Sequence, residues 1–369
     1  PEARRYFMTI PEAAQLVLLE MSEVALYELE RELRARMARE QMSGTELIAV
    51  LGDAHNKSRM REVMLAFGVQ TIYHAAAYKH VPIVERNVIE GVSNNVFSTW
   101  YTAEAARETG AETFVLVSTD KAVNPTNVMG AAKRLAEIVL QSMQVQTTGT
   151  RFCVVRFGNV LGSSGSVVPL FQEQIRAGGP VTVTHPEARR YFMTIPEAAQ
   201  LVLQAGSMAT GGDVFVLDMG QLVRIENLAR RMIGLLGLTV RDETTPEGDI
   251  EIKYTGLRPG EKLYEELLIS DNVTKTGHPM IMRALEPSPG WDEVGRLLAE
   301  LNVAVNRLDC VQVLEILQRG VAEYHRQPVM HDVVWNNRPP EVAVPEVVET
   351  RKVAVLAEHR GQKGSAGTT

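Results

Sequence analysis

Thr119, Asp120 and Lys121 stand in a row directly after an apolar, β-rich run, Thr113-Phe114-Val115-Leu116-Val117. A hydroxyl, a carboxyl and an amine at a strand end can orient an alcohol, donate a proton and accept one. In an open α/β sheet ligands gather outside the carboxyl ends of the strands, so the position suits an active site. Met129 and Lys133 follow on a helical pattern, four residues apart and therefore on one helix face. Taken alone, Asp120 and Lys121 could also be a solvated ion pair beside a capped helix.

The elements that must hold these side chains alternate. Residues 23–39 are spaced as a helix, with Leu26, Leu29 and Leu33 on one face. Strands are predicted over 46–51, 71–74, 113–117 and 151–157, and helices over 57–67, 90–109 and from Met129 onward. Such alternation implies an α/β fold with a doubly wound, Rossmann-like parallel sheet. Beyond Gly158 the pattern is mixed, as a smaller substrate-binding region interleaved with the sheet would be.

Composition narrows the function. A chain of 369 residues with 45% hydrophobic and 22% charged residues is that of an ordinary globular protein. A net charge of -7 argues against a nucleic-acid binder, which needs a basic face. Cys153 and Cys310 have no metal-ligand spacing, so neither a disulfide framework nor a metal site is expected, and the implied compartment is cytoplasmic. No apolar run reaches the length of a membrane span and no signal peptide is present, so the chain reads as a soluble part of a protein.

Four further stretches carry possible chemistry. Glu20 ends a predicted strand, where an acidic side chain can bind a ribose hydroxyl, and Gly52-Asp53 follows the next strand. In His74-Ala75-Ala76-Ala77-Tyr78-Lys79-His80, small residues at a strand end let a dinucleotide approach the backbone. The run from Arg156 to Pro169 holds Asn159, Ser163 and Ser164 in a Gly-Ser turn whose amides could bind an anion. Gly256-Leu257-Arg258-Pro259-Gly260-Glu261-Lys262-Leu263-Tyr264-Glu265-Glu266 offers Arg258, whose guanidinium can pair with phosphate oxygens.

Over residues 16–269 these stretches resemble the CapD-like nucleoside-diphosphate-sugar 4,6-dehydratases, a membrane-anchored branch of the extended short-chain dehydrogenase/reductases. Met129 stands where most short-chain dehydrogenases have the tyrosine of Tyr-x-x-x-Lys. The resemblance implies NAD, held by Glu20, Asp53, Ala75, Ala76, Ala77, Asn95 and Lys133. It implies a UDP-sugar held by Lys79, Asn159, Ser163, Ser164, Arg190, Arg258 and Glu261. Thr119, Asp120, Lys121, Met129 and Lys133 then form the catalytic set, with Asp120 as acid and a partly neutral Lys121 as base. The implied reaction oxidises C4 of UDP-N-acetylglucosamine, eliminates water across C5 and C6, and returns the hydride to C6. A homo-oligomer is expected, and a full-length parent would lie on the cytosolic face of the inner membrane.

One feature runs against an intact cofactor site. Residues 1–18 repeat residues 186–203 letter for letter, and residues 1–43 contain no glycine. The family's first strand and glycine-rich phosphate turn belong where the first copy lies. We therefore divide the chain into an aberrant copy (1–18), an NAD-binding region (19–157), a substrate-binding region (158–335) and a mobile tail (336–369). The alternatives are a nucleotide-sugar 4-epimerase, or a catalytically dead nucleotide-sugar-binding fragment. Met129 and the Asp120-Lys121 pair favour the dehydratase, because an epimerase normally keeps the tyrosine.

Overall fold

The computed structural model describes residues 15–42, 44–147, 149–163, 165–269 and 272–339. Most of the first repeat copy, including Arg5 and Tyr6, lies outside the described residues, as do Ser164 and residues 340–369.

The chain enters as strand β1 (Gln15–Glu20), helix α1 (Glu23–Arg39), β2 (Glu46–Leu51), α2 (Lys57–Phe67) and β3 (Thr71–His74). Local chemistry sets these boundaries. The Ser22 hydroxyl accepts from the Ala25 amide at the start of α1, and Asn56 does the same for Arg59 at the start of α2. Gly68 ends α2 in the left-handed region at φ 57°, where a β-carbon would be strained. Helices α3 (Val81–Glu85), α4 (Val88–Val92) and α5 (Ser98–Thr109) lead to β4 (Thr113–Val117), α6 (Val128–Val145) and β5 (Arg151–Arg156). Between α4 and α5 the expected single helix contains a π-helical turn, Ser93–Phe97, which turns Asn95 fully inward.

Two sheets result. The larger runs in the order Val273–Lys275, Ile281–Ala284, Asp213–Leu217, β5, β4, β3, with parallel pairing from Asp213–Leu217 to β3 and antiparallel pairing beyond. The smaller is β1 and β2 alone, parallel, with Glu20 opposite Leu51. In a doubly wound sheet the first strand lies between the second and the fourth. Among the described residues β1 pairs only with β2 and β3 only with β4, so no described strand fills that place.

The repeat shows how far context overrides local sequence. Gln15-Leu16-Val17-Leu18 is β-strand, hydrogen-bonded along β2. The identical Gln200-Leu201-Val202-Leu203 lies within the helix Ile195–Ser207. That helix opens on a capping box, in which Thr194 and Glu197 satisfy each other's backbone amides. Propensity is a weak prior where tertiary pairing competes.

Side-chain alternation along the sheet divides the core. Phe114, Leu116, Phe152, Val154, Val214 and Val216 face α4, α5, α6 and the helices Trp291–Asn306 and Cys310–Gly320. Val115, Cys153, Val155, Phe215 and Leu217 face the helix Ile195–Ser207. A third cluster, built on Phe171, Ile175, Val181, Ile225, Ile233 and Ile250, forms the smaller region. Among the described residues no helix is long and apolar enough to cross a membrane.

Candidate active site

The strand end is fixed before any side chain acts. The Ser118 amide donates to the Val155 carbonyl at 2.8 Å and the Asp120 amide to that of Phe157 at 3.0 Å, which continues the β4–β5 pairing. The chain then closes into a single 3-10 turn, Asp120–Ala122, capped by the Thr119 hydroxyl. Asn127 caps α6 by accepting from the Gly130 amide at 2.8 Å.

Asp120 is fully buried. Its Oδ1 accepts from the Thr119 hydroxyl at 2.9 Å and from Lys121 Nζ at 3.0 Å. Its Oδ2 has no partner, and a β-carbon placed on Gly158 would lie 3.0 Å from it. Lys121 Nζ also reaches Asn159 Oδ1 at 3.4 Å and stands 3.9 Å from Glu265 Oε1. Burial pushes the Lys121 ammonium down, but the carboxylates of Asp120 and Glu265 more than offset it, so its pKa is raised. The expected desolvation is present, but these two carboxylates oppose it and favour the protonated form of Lys121.

Lys133 Nζ donates to the Val117 carbonyl at 2.7 Å, and burial lowers its pKa to about 8 against the opposing pull of Glu137. His74 ends the neighbouring strand. Burial, and then the charge of Lys133, lowers its pKa to about 3, and its buried Nε2 has no partner. Met129 is buried in the main core cluster, one helix turn before Lys133.

The remaining expected cofactor residues ring the strand ends. Glu20 and Asp53 follow adjacent strands, where Glu20 Oε1 accepts from the Ser22 amide and Asp53 Oδ1 from the His55 amide. Ala75 and Ala76 are exposed and Ala77 is half-buried. Asn95 accepts from the Tyr78 amide at 2.7 Å and donates to the Tyr78 carbonyl at 3.0 Å. Its amide therefore shapes the alanine turn. For the two ends of a dinucleotide the resemblance implies a ribose beside Glu20 and a nicotinamide ribose by the alanines and Lys133. The buried, unpartnered Nε2 of His74 adds a polar atom at the second end. A pyrophosphate cradle is not among the described residues, and the N-terminus of α1 is already occupied by Ser22.

The expected substrate residues fall on the opposite wall. The strand Asn159–Leu161 pairs with Phe192–Thr194, and Asn159 Nδ2 donates to the Tyr191 carbonyl at 3.2 Å. Ser163 lies in the following turn, and a β-carbon on Gly165 would be 2.5 Å from the His80 ring, so Lys79-His80 and this turn meet. Arg190 Nη2 donates to Glu261 Oε1 at 2.8 Å, while Glu261 Oε2 accepts from the Arg258 amide. Among the described residues the exposed Arg258 guanidinium forms no ion pair.

Two residues escaped the sequence reading. Arg156, quoted within the sugar-loop stretch, is fully buried and grips Glu137 and Glu286, which removes it from any ligand. Glu265 lies in the last motif without an assigned role, yet it is buried between Lys121 and Arg190. Burial raises its pKa, and the opposing effect of Lys121 does not cancel that. The loop is docked by Gly260, whose carbonyl accepts from Thr126 and Asn127.

Residues 15–286 match the model of a family described as polysaccharide biosynthesis protein. The chain is similar to the capsular polysaccharide biosynthesis protein CapD of Staphylococcus aureus, with 52% identity over 259 residues covering 70% of this chain and 41% of CapD. It therefore spans less than half the length of that relative. Among solved structures, Pen from Bacillus thuringiensis is 32% identical with a TM-score of 0.65, covering 75% of this chain and 81% of Pen. DesIV of Streptomyces venezuelae, a dTDP-glucose 4,6-dehydratase with NAD bound, matches at 17% identity and TM-score 0.57, covering 82% of this chain and 91% of DesIV, a likeness of fold.

Proposed function

The chain belongs to the polysaccharide biosynthesis protein family, and we propose from this that it is an NAD-dependent nucleotide-sugar 4,6-dehydratase acting on UDP-N-acetylglucosamine. The observation that carries this reading is the Thr119-Asp120-Lys121 constellation at the end of β4, gathered on a buried Asp120 with one carboxylate oxygen left unpaired.

When bound, NAD supplies a reversible hydride acceptor; Glu20 and Asp53 would hold one end and Lys133 with the alanine turn the other. Thr119 orients the sugar 4-hydroxyl. Oxidation there acidifies the C5 hydrogen, and Lys121 removes that proton once its own proton has left. Asp120 delivers a proton through Oδ2 to the departing 6-hydroxyl. Asn159, Ser163, Ser164 and Lys79 line the sugar side, and Arg190, Arg258 and Glu261 the diphosphate side. Met129 cannot transfer a proton, which separates this site from an epimerase that relies on tyrosine.

Mass spectrometry of UDP-N-acetylglucosamine incubated with the chain and NAD tests the reading. Loss of one water is expected. Recovery of an epimer of unchanged mass, or of unaltered substrate, would sink it.

A further inference from the structure

Glu137 has no role in the site described so far. It is fully buried on α6, one helix turn beyond Lys133 and so on the same face. The two side chains grip successive residues at the end of β4. Lys133 Nζ donates to the Val117 carbonyl at 2.7 Å, and the Ser118 hydroxyl donates to Glu137 Oε1 at 2.6 Å. Thr119 and Asp120 follow directly. Glu137 is itself clamped. Arg156 Nε donates to its Oε1 at 3.0 Å and Nη2 to its Oε2 at 2.6 Å, while Arg134 Nη1 reaches Oε2 at 3.1 Å. Glu286 closes the cluster, 2.6 Å from Arg156 and 2.8 Å from Arg134. Arg156 ends β5 and precedes Phe157, whose carbonyl receives the Asp120 amide. The cluster therefore ties both strand ends of the site to one helix. Desolvating four charges offsets much of their attraction, so stability alone does not account for it.

We infer that Glu137 is a positioning residue: from α6 it fixes the end of β4 through Ser118 and sustains the positive charge with which Lys133 meets the cofactor. The inference rests on the NAD reading above. Among the described residues Val117 accepts one of the three protons the Lys133 ammonium can donate. The groups that act on that ammonium are Glu137 on α6 and His74 on β3. Burial pushes the ammonium down to about 8, and Glu137 opposes the push. His74, lowered by burial to about 3, is uncharged at neutral pH and neither helps nor hinders. Burial acts on Glu137 as well and would raise its pKa. Arg156, Arg134 and the Ser118 hydroxyl more than offset that, so the carboxylate is held below its ordinary value and stays ionised. Influence thus runs from Arg156 through Glu137 to Lys133, with neither Arg156 nor Glu137 touching a ligand.

Lysine side-chain ¹³C NMR titration of the whole chain reads the effect with no cofactor present, once Lys133→Arg identifies the signal. Glu137→Gln keeps an oxygen for Ser118 and removes the charge. The loss of a nearby negative charge disfavours the ammonium. The Lys133 signal of that variant should titrate about one pH unit below the wild type, a tenfold smaller ratio of ammonium to amine at fixed pH. Glu286→Gln removes the same charge from the cluster at a residue outside α6, and should leave the signal nearly in place. An unmoved signal in Glu137→Gln overturns the inference, and so does an equal fall in Glu286→Gln. Should Glu137→Gln not fold, the double variant Arg134→Gln with Glu137→Gln leaves Arg156 and Glu286 balanced, and the same downward shift is expected. Its absence there is equally fatal. Calorimetry with NAD separates the two readings. Affinity should decline as pH rises through the Lys133 pKa, and the midpoint should move down with it in Glu137→Gln. Absence of NAD binding to the wild type removes the cofactor reading and the inference with it, whereas binding whose midpoint stays put removes the inference alone.

Discussion

A β-carbon on Gly130 would lie 2.1 Å from the carbonyl oxygen of Lys121. The first turn of α6 and the turn that carries Asp120 and Lys121 are therefore in direct backbone contact, with no side chain able to yield between them. Gly130→Ala must part the two segments. Overpacking of this kind costs about 1–3 kcal/mol, and here a backbone has to move. Urea unfolding should report that loss, together with a drop in turnover larger than the stability change explains. A variant with wild-type midpoint and rate would contradict the placement of α6.

Acid stability should depend on His74. Its pKa is lowered to about 3 by burial and then by Lys133, below the ordinary histidine value near 6.5. The unfolded chain therefore binds the proton first. The stabilising contribution is whole above pH about 6.5 and is lost progressively as pH falls towards 3. The stake is on the order of 5 kcal/mol, by the same linkage. His74→Asn is expected to lose less stability than wild type between pH 6.5 and pH 4, as measured by thermal unfolding. Parallel curves would show that His74 does not carry this sensitivity.

Much of this was legible before the fold. The strands Glu46–Leu51, Thr71–His74 and Thr113–Val117 and the helices Glu23–Arg39 and Lys57–Phe67 follow from periodicity. The π turn at Ser93–Phe97 was not, because one extra residue in a helix leaves the apolar spacing almost unchanged. The strand that ends at Glu20 was legible, and pairing with β2 holds Gln15-Leu16-Val17-Leu18 in it. Arg156 and Glu265 were hidden for a shared reason. Their partners Glu286 and Lys121 lie far off in sequence, and only tertiary docking brings them together.

Asp120→Asn should separate binding from chemistry. The amide keeps the shape and can still meet Thr119, but it cannot deliver a proton through the unpaired Oδ2 position. Loss of general acid catalysis typically costs about 10²–10⁴-fold. Calorimetry with UDP-N-acetylglucosamine should give an affinity within a few-fold of wild type while water loss falls by that factor. Unchanged turnover would move the acid elsewhere.

Met129 stands where a phenol would act, yet it is buried among the core residues of α6. If its thioether does no chemistry, shape is all that matters there. Met129→Leu conserves volume, and such swaps cost less than about 1.5 kcal/mol. The variant should keep its rate within a few-fold. A loss of a hundredfold or more with an intact fold would show that the sulfur itself takes part.

Arg258 provides the sharpest contrast between affinity and rate. Its amide is fixed by Glu261, which holds the loop, while its guanidinium is exposed and has no ion pair among the described residues. Among the described residues no ion pair therefore competes with a diphosphate for it. Hydrogen bonds to charged groups contribute about 1.5–3 kcal/mol, so Arg258→Ala should weaken UDP binding by roughly 10–150-fold. In the proposed reading the chemistry falls to Asp120 and Lys121 and not to Arg258, so kcat should change little. Arg258→Lys keeps the charge but loses the paired geometry, and should recover only part of the affinity. Full recovery by lysine would mean that charge alone is read there. A fall in kcat at unchanged KM would instead place Arg258 in the chemical step and require the diphosphate to be held by Arg190.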